Sequence, residues 1–174
     1  MDLPTKWQHL EWLAGSFINV AVTVNGKEQI RQYSLTRSSD QSRHLEFAAK
    51  RVAGGQVSNY LADHVQVGDE LTIVGRPRCE FGLSGSGSKK LLIAGGVGIT
   101  PIISMLRDLK TSASQDVIVL YFNRSPSEII FQQEINELAN NSHISVHHIV
   151  SDNPTNLNGF EQGSVSAELI QRLV

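Results

Sequence analysis

Cysteine occurs once, at Cys79, in a chain of 174 residues. A single thiol excludes an intramolecular disulfide, a zinc site of several cysteines and an iron–sulfur cluster held within this chain. It points to a cytoplasmic setting. Neither sign of charge dominates: 15 Lys and Arg stand against 17 Asp and Glu, a formal net charge of −2. That removes the electrostatic footprint of a nucleic-acid binder. Long apolar runs are missing too. The most apolar stretch, LLIAGGVGITPIISML at 91–106, is broken by glycines and a proline. It falls short of the roughly 18 residues a bilayer span needs, so no membrane span is expected. Residues 1–13 carry charges, a proline and both tryptophans where a secretion signal would have an apolar core.

What is present divides into two halves. From 16 to 75 the pattern is mostly strand. In FINVAVTV, Ile18, Val20, Val22 and Val24 share one face at period two. Asn25-Gly26 then signals a hairpin, because both residue types tolerate positive φ. EQIRQYSL (28–35) is the returning strand, and HLEFAAKRV (44–52) and ELTIVG (70–75) are two more. Between these, Val57, Tyr60, Leu61 and His64 follow helical spacing.

The second half alternates strand and helix. KLLIAG is a strand, and 100–110 is a helix with Ile102, Met105, Leu106 and Leu109 on one face. DVIVLYF (116–122) and ISVHHIV (144–150) are strands, and 166–174 is a helix. Ser125, Pro126 and Glu128 read as a capping box that opens another helix, with Phe131, Ile135 and Leu138 as its buried stripe and Glu134 beside it. Such alternation implies a doubly wound parallel sheet. SGSGS (84–88) is the natural linker. The expected fold is an antiparallel β-barrel over 1–86 followed by an α/β domain over 87–174.

Three short motifs carry chemistry. Gly95-Gly96-Val97-Gly98, between a buried strand and a helix that begins near Thr100-Pro101, lets the chain turn sharply and lets a ligand approach without a Cβ in the way. The helix start offers unpaired N–H groups suited to a pyrophosphate. A tight turn without a ligand explains the glycines equally well. In RQYSL, alternation puts Arg31 and Tyr33 on one face, an anion partner beside a stacking ring. In GGQVSNYL, Ser58 and the backbone before it stand at a helix start, a second anion site or a plain N-cap.

Taken together and in this order, the R-x-Y-S strand, the G-x-V-S-x-x-L helix start and the G-G-x-G-x-T-P turn resemble the ferredoxin–NADP reductase-like flavoprotein family. The likeness runs from about residue 14 to 174. It implies an FAD-binding barrel and a nicotinamide-nucleotide domain. It implies that Arg31 contacts the FAD pyrophosphate, that Tyr33 stacks on the isoalloxazine, and that Gln32 and Ser34 flank it, with Ser34 near N5. Gln56, Val57 and Ser58 would cradle the pyrophosphate. Gly95, Gly96, Gly98, Thr100 and Pro101 would receive the nicotinamide nucleotide. Asn123, Arg124 and Ser125 follow a parallel strand, where an adenosine ribose rests. No acidic residue stands there for a free 2′-hydroxyl, whereas Arg124 and Ser125 suit a 2′-phosphate. That leans towards NADPH, and the cofactor pair is written FAD and NAD(P)H.

The implied activity is a flavin-dependent oxidoreductase that takes hydride from NAD(P)H and passes electrons to a [2Fe–2S] ferredoxin domain or protein. The alternatives are an FAD-binding electron-relay module without turnover of its own, and an NAD(P)H:flavin reductase. The sequence departs from the family in three places. Cys79 stands where a P-x-G-x-F turn has glycine, residues 3–13 do not alternate as a first strand, and no C-G-P strand follows the last helix. The expectation is therefore a C-terminally truncated reductase region. His143, His147 and His148 lack the acidic company of a metal site, and no resident metal is expected. Cys79 has no predictable base, and Arg107 reads as part of a solvated face.

Overall fold

The computed structural model describes residues 1–83, 89–109, 116–140, 142–152 and 158–174. The linker expected at 84–88 and the helix end expected at 110 lie outside the described residues. The chain forms two compact units, Met1–Gly82 and Leu83–Val174.

The first unit is built on an antiparallel sheet. Strand β1 (Phe17–Val24) pairs with β2 (Lys27–Ser34) on one side and β3 (Thr72–Arg78) on the other. Asn25 and Gly26 make the β1–β2 turn with φ of 51° and 74°. This left-handed pair matches the twist of the strands it joins. Strand β3 extends past the expected end and takes in Pro77, which an edge strand tolerates because its missing N–H faces no partner.

The expected strand at 44–52 reduces to one bridge, Leu35 to Phe47. Residues 3–13 contain a single 3-10 turn, Thr5–Trp7, in place of a strand. Among the described residues the hydrogen-bonded sheet of this unit has three strands. The core sets Ile18, Val20 and Val22 of β1 against Trp12, Leu35, Leu45 and Val57. Trp12 is 4 % exposed, and its indole N–H donates to the Arg37 carbonyl at 2.8 Å. Helix α1 (Gln56–Asp63) brings Val57 into this core.

The second unit is a parallel sheet in the order β4 (Lys89–Gly95), β5 (Asp116–Asn123), β6 (Ile144–Val150) and β7 (Glu161–Gln162). The short β7 was not expected from sequence. Strand β5 is covered on both faces. Leu120 and Phe122 pack with Ile149 under Leu169, Ile170 and Leu173 of helix α4 (Ala167–Leu173). Val117, Val119 and Tyr121 are buried on the other face.

Helix α2 (Ile99–Leu109) buries the stripe expected of it, Ile102, Met105, Leu106 and Leu109. Helix α3 (Gln132–Leu138) buries Ile135 and Leu138. An ion pair ties α2 to α3: Arg107 Nε and Nη2 each donate at 2.7 Å to the two oxygens of Glu134. The Arg107 side chain is only 9 % exposed, which corrects its reading as a solvated face.

The capping box does not form. Ser125 caps only a 3-10 turn, Pro126–Glu128, and its side chain makes no capping bond. The helix proper begins after Phe131, held at φ 58°. Ser166 does cap α4, accepting from the Leu169 N–H at 3.1 Å.

Candidate functional site

The first unit holds two of the three expected motifs. Arg31 and Tyr33 share a face of β2, opposite Val20 and Ile18, so both rise from the core-facing side of the sheet. Tyr33 closes the rim of the core, its ring 4.8 Å from that of Phe47. Partial burial raises its phenol pKa, and the Arg31 charge opposes this in smaller measure. Arg31 is exposed, with one N–H given to the Ile30 carbonyl at 2.8 Å, which leaves most of its fork for an anion. Gln32 and Ser34 lie on the other face by alternation, so the strand itself does not bring Ser34 beside the Tyr33 ring.

Helix α1 starts on Gly55, whose backbone is extended and which gives no side-chain cap. The first N–H groups of such a helix have no partner within it. Gln56 is exposed, and Val57 is buried at 2 % in the core. Ser58 Oγ accepts the Val52 N–H at 3.1 Å and so folds the preceding loop back over the helix start. A Cβ on Gly55 would stand 2.6 Å from that oxygen. Gly55, the glycine of the G-x-V-S-x-x-L motif, thus keeps the turn tight. Cys79 keeps a negative φ, so this position does not require glycine here. Its Sγ lies 3.6 Å from the Ala14 carbonyl oxygen.

In the second unit, Gly95 ends β4 and Gly96–Gly98 form a 3-10 turn into α2. Gly96 has φ 50°, which explains that glycine by itself. Gly95 and Gly98 need another reason: a Cβ on either would meet nothing within 4 Å. Open space over two glycines without strain fits a ligand laid close to the backbone. The turn is pinned from below. The buried Tyr121 hydroxyl donates to the Gly96 carbonyl at 3.1 Å, and Thr100 Oγ1 donates to the Val97 carbonyl at 3.0 Å. Thr100 is 5 % exposed, and Pro101 lies in the first turn of α2. Burial raises the Tyr121 phenol pKa, opposed by the Ile130 backbone and the nearby Asn123 carboxamide.

An open pocket of about 300 Å³ adjoins this turn, lined by Gly96, Asn123, Arg124, Glu128, Ser151 and Ser164 among others. Asn123 is 9 % exposed, and beyond its approach to the Tyr121 hydroxyl its carboxamide has no hydrogen-bond partner. A buried carboxamide left short of partners costs roughly 1–3 kcal/mol, a cost that a polar ligand's hydroxyls would relieve. Arg124 Nε lies 2.8 Å from Glu128 Oε1. Ser125 Oγ bonds to Ser127 Oγ at 3.0 Å and does not line the pocket. Glu128 does line it, although sequence reading had given that residue to a helix cap.

The donors present fit the two groups implied. Arg31 and the α1 start suit a diphosphate beside the rim tyrosine. The glycine turn and the under-bonded Asn123 suit a dinucleotide. Among the described residues no cluster of His, Cys, Asp and Glu could hold a metal. His143 Nδ1 meets Asp116 at 2.9 Å, and His148 Nε2 meets Asn136 Oδ1 at 2.9 Å.

Known proteins show the same division. Residues 1–81 match the oxidoreductase FAD-binding domain, and residues 92–174 match the oxidoreductase NAD-binding domain. A glycine betaine monooxygenase reductase subunit of Pseudomonas aeruginosa is 33% identical over 126 residues, 72% of this chain and 34% of that protein. A phthalate 4,5-dioxygenase oxygenase reductase subunit of Pseudomonas putida is 38% identical over 140 residues, 78% of this chain and 41% of that protein. The flavohem-like FAD/NAD-binding domain of nitric oxide dioxygenase from Vibrio cholerae superposes with a TM-score of 0.76 at 27% identity, covering 91% of this chain and 68% of that one. The chain thus spans about a third of the length of the first of these relatives. Its two matched domains mark FAD and NAD(P)H as the cofactors. An FAD-binding match followed by an NAD-binding match, on an antiparallel sheet followed by a parallel one, means that the chain belongs to the ferredoxin reductase-like flavoprotein family.

Proposed function

We propose that the chain is the cofactor-binding region of a cytoplasmic reductase that takes electrons from NAD(P)H and hands them to a [2Fe–2S] domain or protein. Its FAD-binding domain spans 1–86 and its NAD(P)-binding domain 87–174. The observation that carries this reading is the succession, in one chain, of an FAD-binding match over 1–81 and an NAD-binding match over 92–174. Held by these residues, a flavin would supply an acceptor for one hydride, an electron pair, from the nicotinamide and a donor of single electrons, which neither protein side chains nor the dinucleotide supply.

The chain's own residues bind and orient. Arg31 and the backbone N–H groups of Gln56, Val57 and Ser58 neutralise a diphosphate. Tyr33, backed by Phe47, offers a flat apolar face. Ser34 is the hydroxyl available at the end of β2, with Gln32 two residues before it. The turn of Gly95, Gly96 and Gly98, with Thr100 and Pro101 behind it, lets the second diphosphate lie against main-chain amides. Asn123 and Arg124 close the β5 end of that site, and Ser125 follows them outside the pocket lining. The relatives' printed names, reductase subunits of a monooxygenase and a dioxygenase, support an acceptor that belongs to an oxygenase system.

The test is anaerobic electron delivery. FAD-loaded protein and NAD(P)H, mixed with a [2Fe–2S] ferredoxin, should bleach the ferredoxin's visible bands with catalytic turnover. Flavin reduction without ferredoxin reduction would replace this reading with an NAD(P)H:flavin reductase.

A further inference from the structure

Strand β2 ends at Ser34, yet the chain beyond it is still paired. Leu35 bridges to Phe47 in the antiparallel sense, and the Thr36 N–H donates to the Glu46 carbonyl at 2.9 Å. Residues opposite one another in such a pair share a face. Tyr33, Leu35 and Phe47 therefore stand on one side, and Thr36 and Glu46 on the other. The first side carries the contact of the Tyr33 and Phe47 rings, 4.8 Å apart and tilted by 32°. The pairing is a single bridge, so few ladder bonds hold Phe47 in place. The other side supplies what the ladder lacks. The Thr36 hydroxyl donates to Glu46 Oε1, and Arg37 Nε donates to Glu46 Oε2 at 3.0 Å. The two holds differ in strength. The Arg37–Glu46 pair is exposed, a setting in which ion pairs contribute little. Thr36 is fully buried, and its bond to a carboxylate is charge-assisted.

We infer that Glu46 is a positioning residue: gripped chiefly by Thr36, it fixes the Phe47 ring against Tyr33 and so sets the orientation of the aromatic face offered to the flavin. The inference rests on the reading of Tyr33 as the residue that stacks on the isoalloxazine. Glu46 and Phe47 are neighbours in sequence, so a carboxylate anchored on one side of the strand fixes the ring on the other. Both rings lie at the edge of the core rather than within it, so each depends on the other for its place. When Phe47 shifts, Tyr33 turns with it. Glu46 points away from that face, and its effect passes through Phe47.

The experiment is FAD titration of the apoprotein, read by affinity and by the visible bands of the bound flavin. The nuclear Overhauser contact between the Tyr33 and Phe47 rings is measured beside it, before FAD is added. Glu46→Ala and Phe47→Leu should each weaken FAD binding about ten-fold and shift the bands in the same direction. The double variant should lie within about three-fold of either single one, because both act along one path. Glu46→Gln keeps an oxygen for the buried Thr36 hydroxyl and should stay within about three-fold of wild type, with the ring contact intact. Thr36→Val removes the grip while leaving the carboxylate, and should reproduce Glu46→Ala, including the faded ring contact, even where that variant does not fold. Losses that multiply to about a hundred-fold in the double variant overturn the inference. So does wild-type affinity, band position and ring contact in Thr36→Val. If the wild type takes up no FAD, the flavin reading falls and the inference with it; if it takes up FAD and the losses multiply, the inference alone falls.

Discussion

The hydroxyl of Tyr121 and the carbonyl of Gly96 meet at 3.1 Å, and this bond joins the buried centre of the parallel sheet to the glycine turn at its edge. The turn's left-handed residue, at φ 50°, is thereby held from beneath while its upper side stays open. Tyr121→Phe keeps the ring and removes the bond. The variant should lose about 1 kcal/mol of stability. Its dinucleotide affinity should fall several-fold, with kcat nearly unchanged once the site is saturated. A KM against kcat split in steady-state rates checks this, since a merely structural role would lower both or neither.

The Arg107–Glu134 pair ties α2 to α3 with two bonds of 2.7 Å. Glu134→Gln removes this counter-charge from a nearly buried guanidinium. Because Glu134 is 36 % exposed, water recovers part of the loss. The expected cost is about 2 kcal/mol, below the range for a fully buried pair, read as a lower urea midpoint with an unchanged slope.

How much of this was legible in sequence follows the physics of each element. The β1 strand, the Asn25-Gly26 turn and the α2 stripe could be read because local periodicity and backbone preference agree with the tertiary outcome. The strand expected at 44–52 could not, since its apolar residues are also what a looping segment needs to reach the core: Leu45 is 2 % exposed, yet the ladder there is a single bridge. Ser125, Pro126 and Glu128 have the composition of a helix start. The chain does otherwise: Glu128 turns to Arg124, four residues before it, and Phe131 takes the left-handed conformation before α3. The glycine turn was legible as a strand-to-helix turn, but the place of Glu128 at the pocket was not, because it depends on a turn that propensity alone assigns to a helix.

Gly55 is tightly enclosed. Gly55→Ala would place a methyl 2.6 Å from Ser58 Oγ and 3.1 Å from the Val52 carbonyl. The serine can rotate and the backbone cannot, so the Ser58–Val52 bond should be lost and the helix start shifted. The expected outcome is a loss of about 1–3 kcal/mol and weaker FAD retention on gel filtration, with Gly54→Ala as a separate strain control at φ 70°.

His148 is 7 % exposed, bonded through Nε2 to Asn136, and its Nδ1 has no partner. Burial depresses its pKa below the ordinary 6.5. The unfolded chain therefore binds this proton more readily than the folded one. The histidine's contribution to stability is whole above pH 6.5 and is lost as pH falls from there towards the depressed folded value. His148→Gln should flatten the fall of the urea midpoint across that acidic window, relative to wild type. An identical pH profile for the two proteins would show that His148 does not titrate in the fold.

The central claim is that one chain holds a flavin and accepts reducing equivalents from a nicotinamide. Anaerobic mixing of the FAD-loaded chain with NADH, followed by flavin absorbance in a stopped-flow cell, tests it most directly. The account predicts a yellow protein whose absorbance bleaches promptly and in proportion to bound FAD. A yellow protein that stays oxidised under NADH and NADPH alike, or a chain that cannot be loaded with FAD, would contradict it.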